Sequence, residues 1–368
     1  MTGRDRILAA FAGDPVDRLP IWLMRQAGRF LPEYRALRAN MSFLELCHSP
    51  EACTEVALQP LRRFPLDATI VFSDILTILD AAGAGLRFVT GDGPSLAAPV
   101  RLPSDIGRLD WTAMGEKLAF TYAAVKELRR AAPDHALFGF AGAPWTLFCY
   151  LVEGEGSSDF AKARTFARQF PAETQALLTS LADAVADHLI AQIDAGADAV
   201  QVFDTWGGLL SEASWWELSR PSLLRVRERV QARHPAARMM LFVRAGHLTS
   251  AAMALGFPAV SLHDTAKMKD ARVLRGGQRR SAATGGSDVV CATQGNIDNT
   301  CLLAGADAIR GEVLRLDRDL HARGLDPADA HRGHIVNLGH GLLPSTPPEA
   351  VSVLCEAVAA LSTADSAG

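Results

Sequence analysis

The chain has 368 residues, of which 49% are hydrophobic and 21% are charged, which is the composition of an ordinary globular protein. Its formal net charge of −4 excludes a global basic field that would attract nucleic acid or an acidic membrane surface. The N-terminal stretch MTGRDRILAAFAGDP has no small-residue cleavage pattern, so we expect no signal peptide, and we expect no membrane span of about 18 apolar residues.

Apolar runs of strand length recur along the chain and alternate with helical stretches such as Phe120–Ala131 and Leu181–Ala195. The runs show little polar alternation, as expected of parallel strands buried on both faces. They are Leu19–Leu23, Ala68–Phe72, Leu137–Ala141, Ala199–Phe203, Met239–Val243, Pro258–Leu262, Val289–Thr293 and His334–Leu338. About eight strand–helix units predict an α/β fold, a single (β/α)8 TIM-type barrel over residues 1–361 with an N-terminal helical extension. Residues 362–368 are expected to form a disordered tail.

Polar residues follow most of the predicted strands directly. Among these clusters are RQAGR at residues 25–29, Ser73-Asp74, Asp204-Thr205-Trp206 and Gly339-His340-Gly341. In a barrel the carboxyl ends of the strands converge at one mouth, where the active site lies. A binding scaffold without chemistry would not need its polar residues there, so the pattern predicts an enzyme.

The arginines after the first predicted strand form the densest of these clusters. Arg25 and Arg29 are spaced four apart in a turn that contains glycine, and Arg38 follows. Glu33 is the only acidic residue between positions 18 and 45, so the guanidinium groups outnumber the carboxylates that could pair with them. Guanidinium groups form a planar fork of donors that suits carboxylate or phosphate. Charges solvated at a helix start are the alternative, most of all for Arg38, but the pattern favours a local site for an external anion.

Asp74, His340 and Tyr150 are further candidates for chemistry. Asp74 in IVFSDIL is a carboxylate within an apolar run, where it is costly unless paired or solvated. It can either cap the following helix or face a ligand that is cationic or rich in N–H groups. His340 lies between two glycines in NLGHG, and Tyr150 follows GAPWTLFC; a structural role is the alternative for both residues.

The remaining features concern cysteines, cofactors and one long segment. The six cysteines form no Cys-x-x-Cys pair, which favours free thiols in a reducing cytoplasm over disulfides or a metal site. There is no Gly-x-Gly-x-x-Gly or Walker loop, and no lysine stands at a strand end, so we expect no cofactor. The segment Arg272–Asp288, RVLRGGQRRSAATGGSD, is predicted to be an exposed, mobile loop whose arginines could touch a ligand or partner. The residues alone thus predict a barrel enzyme that acts on a polyanionic small molecule.

These motifs together resemble the uroporphyrinogen decarboxylase family. MRQAGRFLPEYR and GFAGAPWT match the two family signatures, and FSDIL, VFDTWGG, QGNID and NLGHG occur in the expected order, from Arg4 to Ala360. The resemblance implies conversion of uroporphyrinogen III to coproporphyrinogen III by loss of CO2 from four acetate side chains, in tetrapyrrole biosynthesis and without metal or prosthetic group. It also implies a cytoplasmic homodimer that binds neither nucleic acid nor membrane.

The resemblance implies roles for individual residues. Arg25, Arg29 and Arg38 match arginines that hold the carboxylates of the substrate, and Asp74 matches the aspartate that faces the pyrrole N–H groups. The implied catalytic residues are Asp74, Arg25 as proton donor, and Tyr150. The implied substrate-binding residues are Arg25, Gln26, Ala27, Arg29, Arg38, Phe72, Asp74, Phe140, Gly142, Tyr150, Thr205 and His340, with no metal ligand.

The chain departs from the family pattern at several positions. Glu155 and Ser158 replace a glycine and a lysine of VEGGGSKDF, and Leu241–Arg244 and Leu262–Thr265 differ from the usual Phe-x-Lys and Leu-Asp-Trp, so roles there stay unassigned. The alternative function is a cobalamin-dependent methyltransferase of the related barrel family, which binds zinc through a His-x-Cys pair and a distant cysteine. The equivalent strand end here, FVRAGH, contains no cysteine. A non-enzymatic anion-binding protein is the third reading, and a turnover assay separates it from both.

Overall fold

A curled sheet of seven parallel strands forms the centre of the computed structural model, which describes residues 1–89, 93–274, 292–321 and 330–364. Each strand pairs in parallel with the next one along the sheet. In spatial order the strands are β1 (Ala68–Ile70), β4 (Ala136–Gly142), β5 (Ala199–Asp204), β6 (Met239–Val243), β7 (Ala259–Leu262), β8 (Ala292–Gln294) and β9 (His334–Ile335).

The first predicted strand, Leu19–Leu23, lies between the two edges of this sheet and closes the barrel. Ile21 is bridged in parallel to Val336 beyond β9, and the Asp67 N–H donates to the Ile21 carbonyl at 2.8 Å. The segment makes this single bridge, and its Ile21, Leu23 and Met24 N–H groups donate to the side chains of Asp67, Gln26 and Asn337 at 2.8, 2.9 and 2.9 Å. The eight segments confirm the predicted (β/α)8 barrel, with a shorter first strand than expected.

Helix α1 (Gly3–Ala12) is the predicted N-terminal extension and covers the amino-terminal end of the barrel. Its start is capped by Thr2, whose side chain accepts a hydrogen bond from the Asp5 N–H at 3.1 Å. Ile7 and Phe11 pack with barrel residues, and the ring centroids of Phe11 and Phe138 are 6.3 Å apart. Because this end is filled, the carboxyl end remains for a ligand.

The other helices surround the barrel or cover its ends. They are α2 (Pro32–Arg38), α3 (Phe43–His48), α4 (Pro50–Arg63), α5 (Thr77–Ala81), α6 (Met114–Lys117), α7 (Ala119–Ala131), α8 (Pro144–Glu153), α9 (Ala161–Gln169), α10 (Pro171–Asp194), α11 (Glu212–Leu218), α12 (Arg220–Arg233), α13 (Thr249–Met253), α14 (residues 268–274), α15 (Cys301–Ala304), α16 (Ala306–Leu320) and α17 (Pro348–Ala364). Two short 3-10 helices occur at Pro103–Arg108 and Gly207–Leu209. An antiparallel hairpin of β2 (Leu86–Val89) and β3 (Gly93–Leu96) was not predicted.

Within the described residues, α10 alone is long and apolar enough to cross a membrane by length and composition, although polar residues interrupt it and it is not a continuous apolar run. More than half of its 18-residue apolar window is buried, and the helix packs along α12 and α8. Core helices commonly have this composition, so the feature is weak evidence for a membrane span.

Two boundary predictions need correction. Arg272, placed in an exposed loop, belongs to α14 and is 1% exposed. Its guanidinium donates to the carbonyls of Ala330 and Arg332 at 2.6 and 3.0 Å, and these contacts bury it. Residues 275–288 of the predicted loop lie outside the described residues. At the other boundary, α17 runs to Ala364, so residues 362–364 are helical, while residues 365–368 lie outside the described part.

Candidate active site

A cavity of about 670 Å³ opens at the carboxyl end of the barrel. Ten of the twelve residues predicted to bind substrate line it, whereas Gln26 and Gly142 do not. The ten are Arg25, Ala27, Arg29, Arg38, Phe72, Asp74, Phe140, Tyr150, Thr205 and His340. Residues that are far apart in the chain thus meet because they follow neighbouring parallel strands.

The turn that carries Arg25 is strained, and hydrogen bonds of the Gln26 side chain stabilise it. Arg25 has a φ of 64°, which costs a residue with a side chain about 1–3 kcal/mol. The Gln26 side chain is 1% exposed; its oxygen accepts from the Leu23 N–H at 2.9 Å and its amide donates to the Ala68 carbonyl at 3.0 Å. Because both ends of this side chain bind backbone, Gln26 positions the turn that carries Arg25. That Gln26 also binds substrate stays a prediction.

Gly341 also shapes the position of Arg25. A β-carbon at Gly341 would collide with the aliphatic part of the Arg25 side chain, so only glycine leaves room for it there. Gly142, the second predicted residue outside the cavity lining, has a related packing role. A β-carbon at Gly142 would press against Leu147 and Ile75, which pack on the end of β4.

The arginines near the cavity divide into two groups by their partners. Among the described residues, the Arg25 and Arg29 guanidinium groups form no ion pair. Arg35 instead donates to the carbonyls of Arg29 and Phe30 at 2.8 and 3.0 Å, and so stabilises the turn. Arg38 donates to the Met41 carbonyl while it lines the cavity. Arg25 and Arg29 are therefore fully available to an anionic ligand, and Arg38 is available through the donors that do not bind Met41.

Arg25 reaches into the cavity yet is surrounded by protein, and this desolvation lowers the pKa of its guanidinium. The positive charges of Arg29 and Arg244 lower the pKa further, while Tyr150 and Asp74 oppose the shift. Arg244, just after β6, lies with its guanidinium 5.7 Å from the centroid of the Trp206 ring. Sequence reasoning left Arg244 unassigned because that strand end departs from the family pattern.

Asp74 follows β1 and serves both the local turn and the cavity. Its Oδ1 accepts from the Leu76 N–H at 2.8 Å, and its backbone carbonyl accepts from the Thr77 hydroxyl at 2.9 Å. In the described part of the chain Oδ2 has no hydrogen-bond partner, and the residue lines the cavity. Burial raises the pKa of Asp74, against the Leu76 N–H and the charge of Arg25. Asp74 thus stabilises the turn before α5, but it is not the predicted N-cap of that helix, which is Leu76. The ligand-facing role of Asp74 stays a prediction.

Tyr150 and His340 complete the polar part of the lining. The Tyr150 ring packs edge-on against Phe160 and Trp206, with centroids 5.3 and 6.1 Å apart. Burial raises the pKa of its phenol, so the hydroxyl keeps its proton at neutral pH. Burial, together with the positive charges of Arg25 and Arg244, lowers the pKa of His340 to about 3. The imidazole is consequently neutral at neutral pH and can both donate and accept a hydrogen bond.

The walls of the cavity are mainly aromatic. Only Phe72 and Phe140 were predicted from the sequence. The seven phenylalanines of the lining are Phe30, Phe43, Phe72, Phe88, Phe140, Phe203 and Phe242. Phe203 stands edge-on to both Phe140 and Phe242, with centroids 5.8 Å apart in each case. Apolar walls with guanidinium groups and one carboxylate suit a large apolar ligand that carries several carboxylates.

Asp204, to which no role was assigned from the sequence, is a buried carboxylate that positions Thr205. Asp204 is 0% exposed and accepts hydrogen bonds from Thr146, Trp215 and Ser219 at 3.1, 2.9 and 2.8 Å. These bonds tie the end of β5 to α8 and α11, so the next residue is held at the cavity wall. In the sequence, this role was indicated only by the position of Asp-Thr-Trp directly after a predicted strand.

Comparison with known proteins settles the family. The family model for uroporphyrinogen decarboxylase matches residues 2–361. The chain is 44% identical over 367 residues to a uroporphyrinogen decarboxylase of Xanthomonas euvesicatoria, covering 98% of this chain and 99% of the relative. It is 45% identical over 369 residues to that of Ralstonia pickettii, covering 98% and 96%. The chain belongs to the uroporphyrinogen decarboxylase family.

Solved structures of lower identity share the fold. A methyltransferase from Methanosarcina mazei superposes with a TM-score of 0.77 at 20% identity, covering 98% of this chain and 99% of that one. A B12-independent methionine synthase from Shewanella sp. W3-18-1 gives a TM-score of 0.52 at 13% identity, covering 94% and 97%. At such identities the likeness shows the barrel fold alone.

The departures from the uroporphyrinogen decarboxylase pattern fall partly outside the cavity lining. Glu155 and Ser158 are exposed, and Glu155 pairs by a backbone bridge with Ser95 of the hairpin. At the end of β7, His263 Nδ1 lies 2.8 Å from the Thr265 hydroxyl and 2.9 Å from Asp264 Oδ1. The divergent residues in this cluster interact with one another.

Proposed function

We propose that the protein is a uroporphyrinogen decarboxylase that converts uroporphyrinogen III to coproporphyrinogen III and CO2 in tetrapyrrole biosynthesis. The observation that carries this proposal is the presence of Asp74, Arg25 and Arg29 together in the lining of one aromatic cavity. The substrate is a large ring with carboxylates around its edge and N–H groups at its centre. In the lining, the guanidinium groups complement the carboxylates, Asp74 complements the N–H groups, and the phenylalanines complement the apolar ring.

The substrate itself can provide the electron sink that decarboxylation needs. Loss of CO2 leaves an electron pair that other enzymes pass to pyridoxal phosphate or thiamine. A pyrrole protonated at its α-carbon becomes iminium-like and accepts that pair as the bond to CO2 breaks. A second proton then converts the exocyclic methylene carbon to a methyl group, and the α-carbon loses the proton it gained. Each acetate therefore consumes one proton net and releases one CO2.

Asp74 stabilises the cation that this sequence creates. A fixed carboxylate about 4 Å from the pyrrole contributes on the order of 4 kcal/mol at an effective dielectric constant of 20. That is roughly a thousandfold in rate. The pyrrole N–H groups would also donate to the carboxylate, which favours its ionised form against the burial that raises its pKa.

Arg25 and Tyr150 are the proton-bearing candidates for the acid steps. The lowered pKa of Arg25 makes its guanidinium a better acid than a free one. Arg29 and Arg38 have the simpler role of holding carboxylates at the edge of the ring. His340 and Thr205 add hydrogen-bonding groups to the lining, and the neutral imidazole can accept from a pyrrole N–H.

We also infer that the protein acts in the cytoplasm as a homodimer. The homodimer is an expectation from the resemblance to the uroporphyrinogen decarboxylase family, and the cytoplasm is an expectation from cysteines without a disulfide pattern. No nucleic acid or membrane partner is required by this function.

Incubation with uroporphyrinogen III, with the products separated by their number of carboxylates, tests the proposal. We expect the eight carboxylates to fall stepwise to four, with CO2 released, by protein dialysed exhaustively against a chelator. An unchanged substrate would contradict the proposal. Turnover that appears only with cobalamin and a methyl donor would favour the methyltransferase alternative, which shares the fold.

A further inference from the structure

Two histidines and an aspartate meet at the carboxyl end of α16, away from the cavity. Asp317 and His321 are one helical turn apart, and His331 lies in the segment that leads into β9. Their potential ligand atoms all lie within 4.8 Å of one another. His331 Nε2 is 2.9 Å and His321 Nδ1 is 3.5 Å from the same oxygen, Oδ1 of Asp317.

These distances suit a small tetrahedral ion. Zinc binds histidine nitrogen and carboxylate oxygen at about 2.0–2.2 Å, which places neighbouring ligand atoms about 3.3–3.5 Å apart. The two observed distances to the Asp317 oxygen lie close to that range, so small side-chain rotations would admit an ion. Imidazole with carboxylate favours zinc, cobalt, nickel or copper over magnesium, which prefers oxygen ligands alone.

The helix end can supply these ligands without losing its backbone hydrogen bond. His321 Nδ1 now lies 2.9 Å from the Asp317 carbonyl, so ion binding requires the tautomer with its proton on Nε2. The His321 backbone N–H donates to the same carbonyl at 3.1 Å and keeps it satisfied. Among the described residues His321 is exposed and the other two ligands are partly exposed, and a tetrahedral ion would take a water as its fourth ligand.

We propose that Asp317, His321 and His331 form a binding site for one divalent transition-metal ion of the zinc class. Because α16 leads back to the start of β9, the site lies at the amino-terminal end of the barrel, where ligands affect stability rather than chemistry. The ion would tie the end of α16 to the segment before β9. It is independent of the decarboxylation proposed above.

Isothermal titration of metal-stripped protein with zinc chloride tests this site. We expect one equivalent to bind, and at a hundredfold excess over Kd the Tm should rise by about 3 °C. Magnesium chloride should produce neither effect. The His321→Ala and His331→Ala variants should each lose about 100-fold or more in affinity, since even outer-shell partners are worth 10–100-fold.

The matched control is His234→Ala, which removes a histidine that pairs with a single carboxylate, Asp194, at 3.0 Å. This variant should bind zinc like the wild type. Unchanged uroporphyrinogen turnover would show that the His321 and His331 variants are folded. Two results would overturn the proposal. One is zinc binding that survives in the His321→Ala/His331→Ala double variant, and the other is no binding to the wild type at zinc concentrations up to about 1 mM.

Discussion

Asp74 binds the backbone through one carboxylate oxygen and leaves the other to the cavity, so one residue supports both the turn after β1 and the proposed chemistry. The two functions separate on substitution, because only the chemistry needs a negative charge. An amide oxygen can accept the Leu76 N–H as well as a carboxylate can. The kinetics and the stability of substituted proteins should therefore respond differently.

Asp74→Asn should lower turnover roughly 10²–10⁴-fold, because the developing pyrrole cation loses its counter-charge. The Tm should hold steady or rise, since burying the carboxylate is costly to the fold. Steady-state kinetics and thermal denaturation measure the two effects. Asp74→Glu, the matched control, retains the charge one methylene away and should keep partial activity. A stable Asn variant with more than about a tenth of wild-type turnover would remove Asp74 from the mechanism.

Arg25→Ala and Arg29→Ala should each impair kcat/KM by about 10–150-fold or more, because each loses charge-assisted hydrogen bonds worth about 1.5–3 kcal/mol. Folding should change little, since neither guanidinium pairs within the described structure. Arg38→Ala should be milder, as its guanidinium already binds the Met41 carbonyl. Arg62→Ala, which removes an exposed arginine paired with Glu55, is the control. Near-wild-type kinetics for all of the cavity variants would refute carboxylate binding by this cluster.

At the scale of elements, the packing of α7 against α10 includes a polar contact that makes stability depend on pH. His188 of α10 is 4% exposed, and its Nδ1 lies 3.1 Å from the Tyr122 hydroxyl of α7. Burial lowers the pKa of His188 to about 4. The unfolded chain, with a histidine pKa near 6.5, binds the proton more readily than the folded chain between these values. The stabilisation is therefore complete above about pH 6.5 and is lost as the pH falls toward 4.

His188→Gln should weaken this dependence, because the variant carries no titrating group at the contact. Between pH 7 and pH 4.5 the wild type should lose roughly 2–3 kcal/mol more unfolding free energy than the variant. Urea denaturation at the two pH values measures the difference, and circular dichroism establishes that the variant is folded. Equal pH dependence in the His188 variant and the wild type would contradict the assignment.

A second prediction at the scale of elements concerns the stability of the protein after the segment between α14 and β8 is shortened. The sequence predicts that the loop Arg272–Asp288 is exposed, so replacement of its part beyond α14, residues 275–288, by a short Gly-Ser bridge should leave the Tm within a few degrees, because surface loops close at small entropic cost. Arg272→Ala, by contrast, removes two hydrogen bonds from a buried guanidinium and should destabilise the fold by about 2 kcal/mol or more. Thermal denaturation compares the two proteins. Loss of soluble protein on shortening would show that the segment packs against the barrel.

At the scale of the whole molecule, the barrel has one filled end and one open end. Helix α1 and its Phe11 occupy the amino-terminal end, and the cavity of about 670 Å³ occupies the other. A large tetrapyrrole bound at the open end would leave part of its edge exposed to solvent. A second copy of the chain with its mouth facing the first would cover that edge.

Sedimentation equilibrium at micromolar concentration should accordingly give close to twice 39.4 kDa. The dimer is an expectation from the family resemblance, and two-fold symmetric pairs are the commonest homo-oligomers. The Arg25→Ala variant should sediment like the wild type, because Arg25 lines the cavity and the expected interface does not depend on bound substrate. A clean monomer across the concentration range would overturn the expectation.

Strand positions were readable from the sequence because they depend on local composition. Strands buried on both faces appear as continuous apolar runs, and the run Met239–Val243 matches β6 residue for residue. The polar residues directly after such runs predicted the cavity, since parallel strands bring their carboxyl ends together. Asp74, Thr205 and His340 were found in this way without any knowledge of their neighbours in space.

Side-chain direction and the partners of polar atoms were decided only by the tertiary structure. Gln26, Arg35 and Arg272 look like ligand-binding or surface residues in the sequence, yet each binds backbone carbonyls in the fold. Continuous apolar runs carry no alternation to show that Phe203 and Phe242 face the cavity. Such outcomes depend on residues tens or hundreds of positions away, because a buried donor takes whichever acceptor folding places beside it. Local sequence determined where the strands and their polar ends lie, and long-range packing determined which side chains remain available to a ligand.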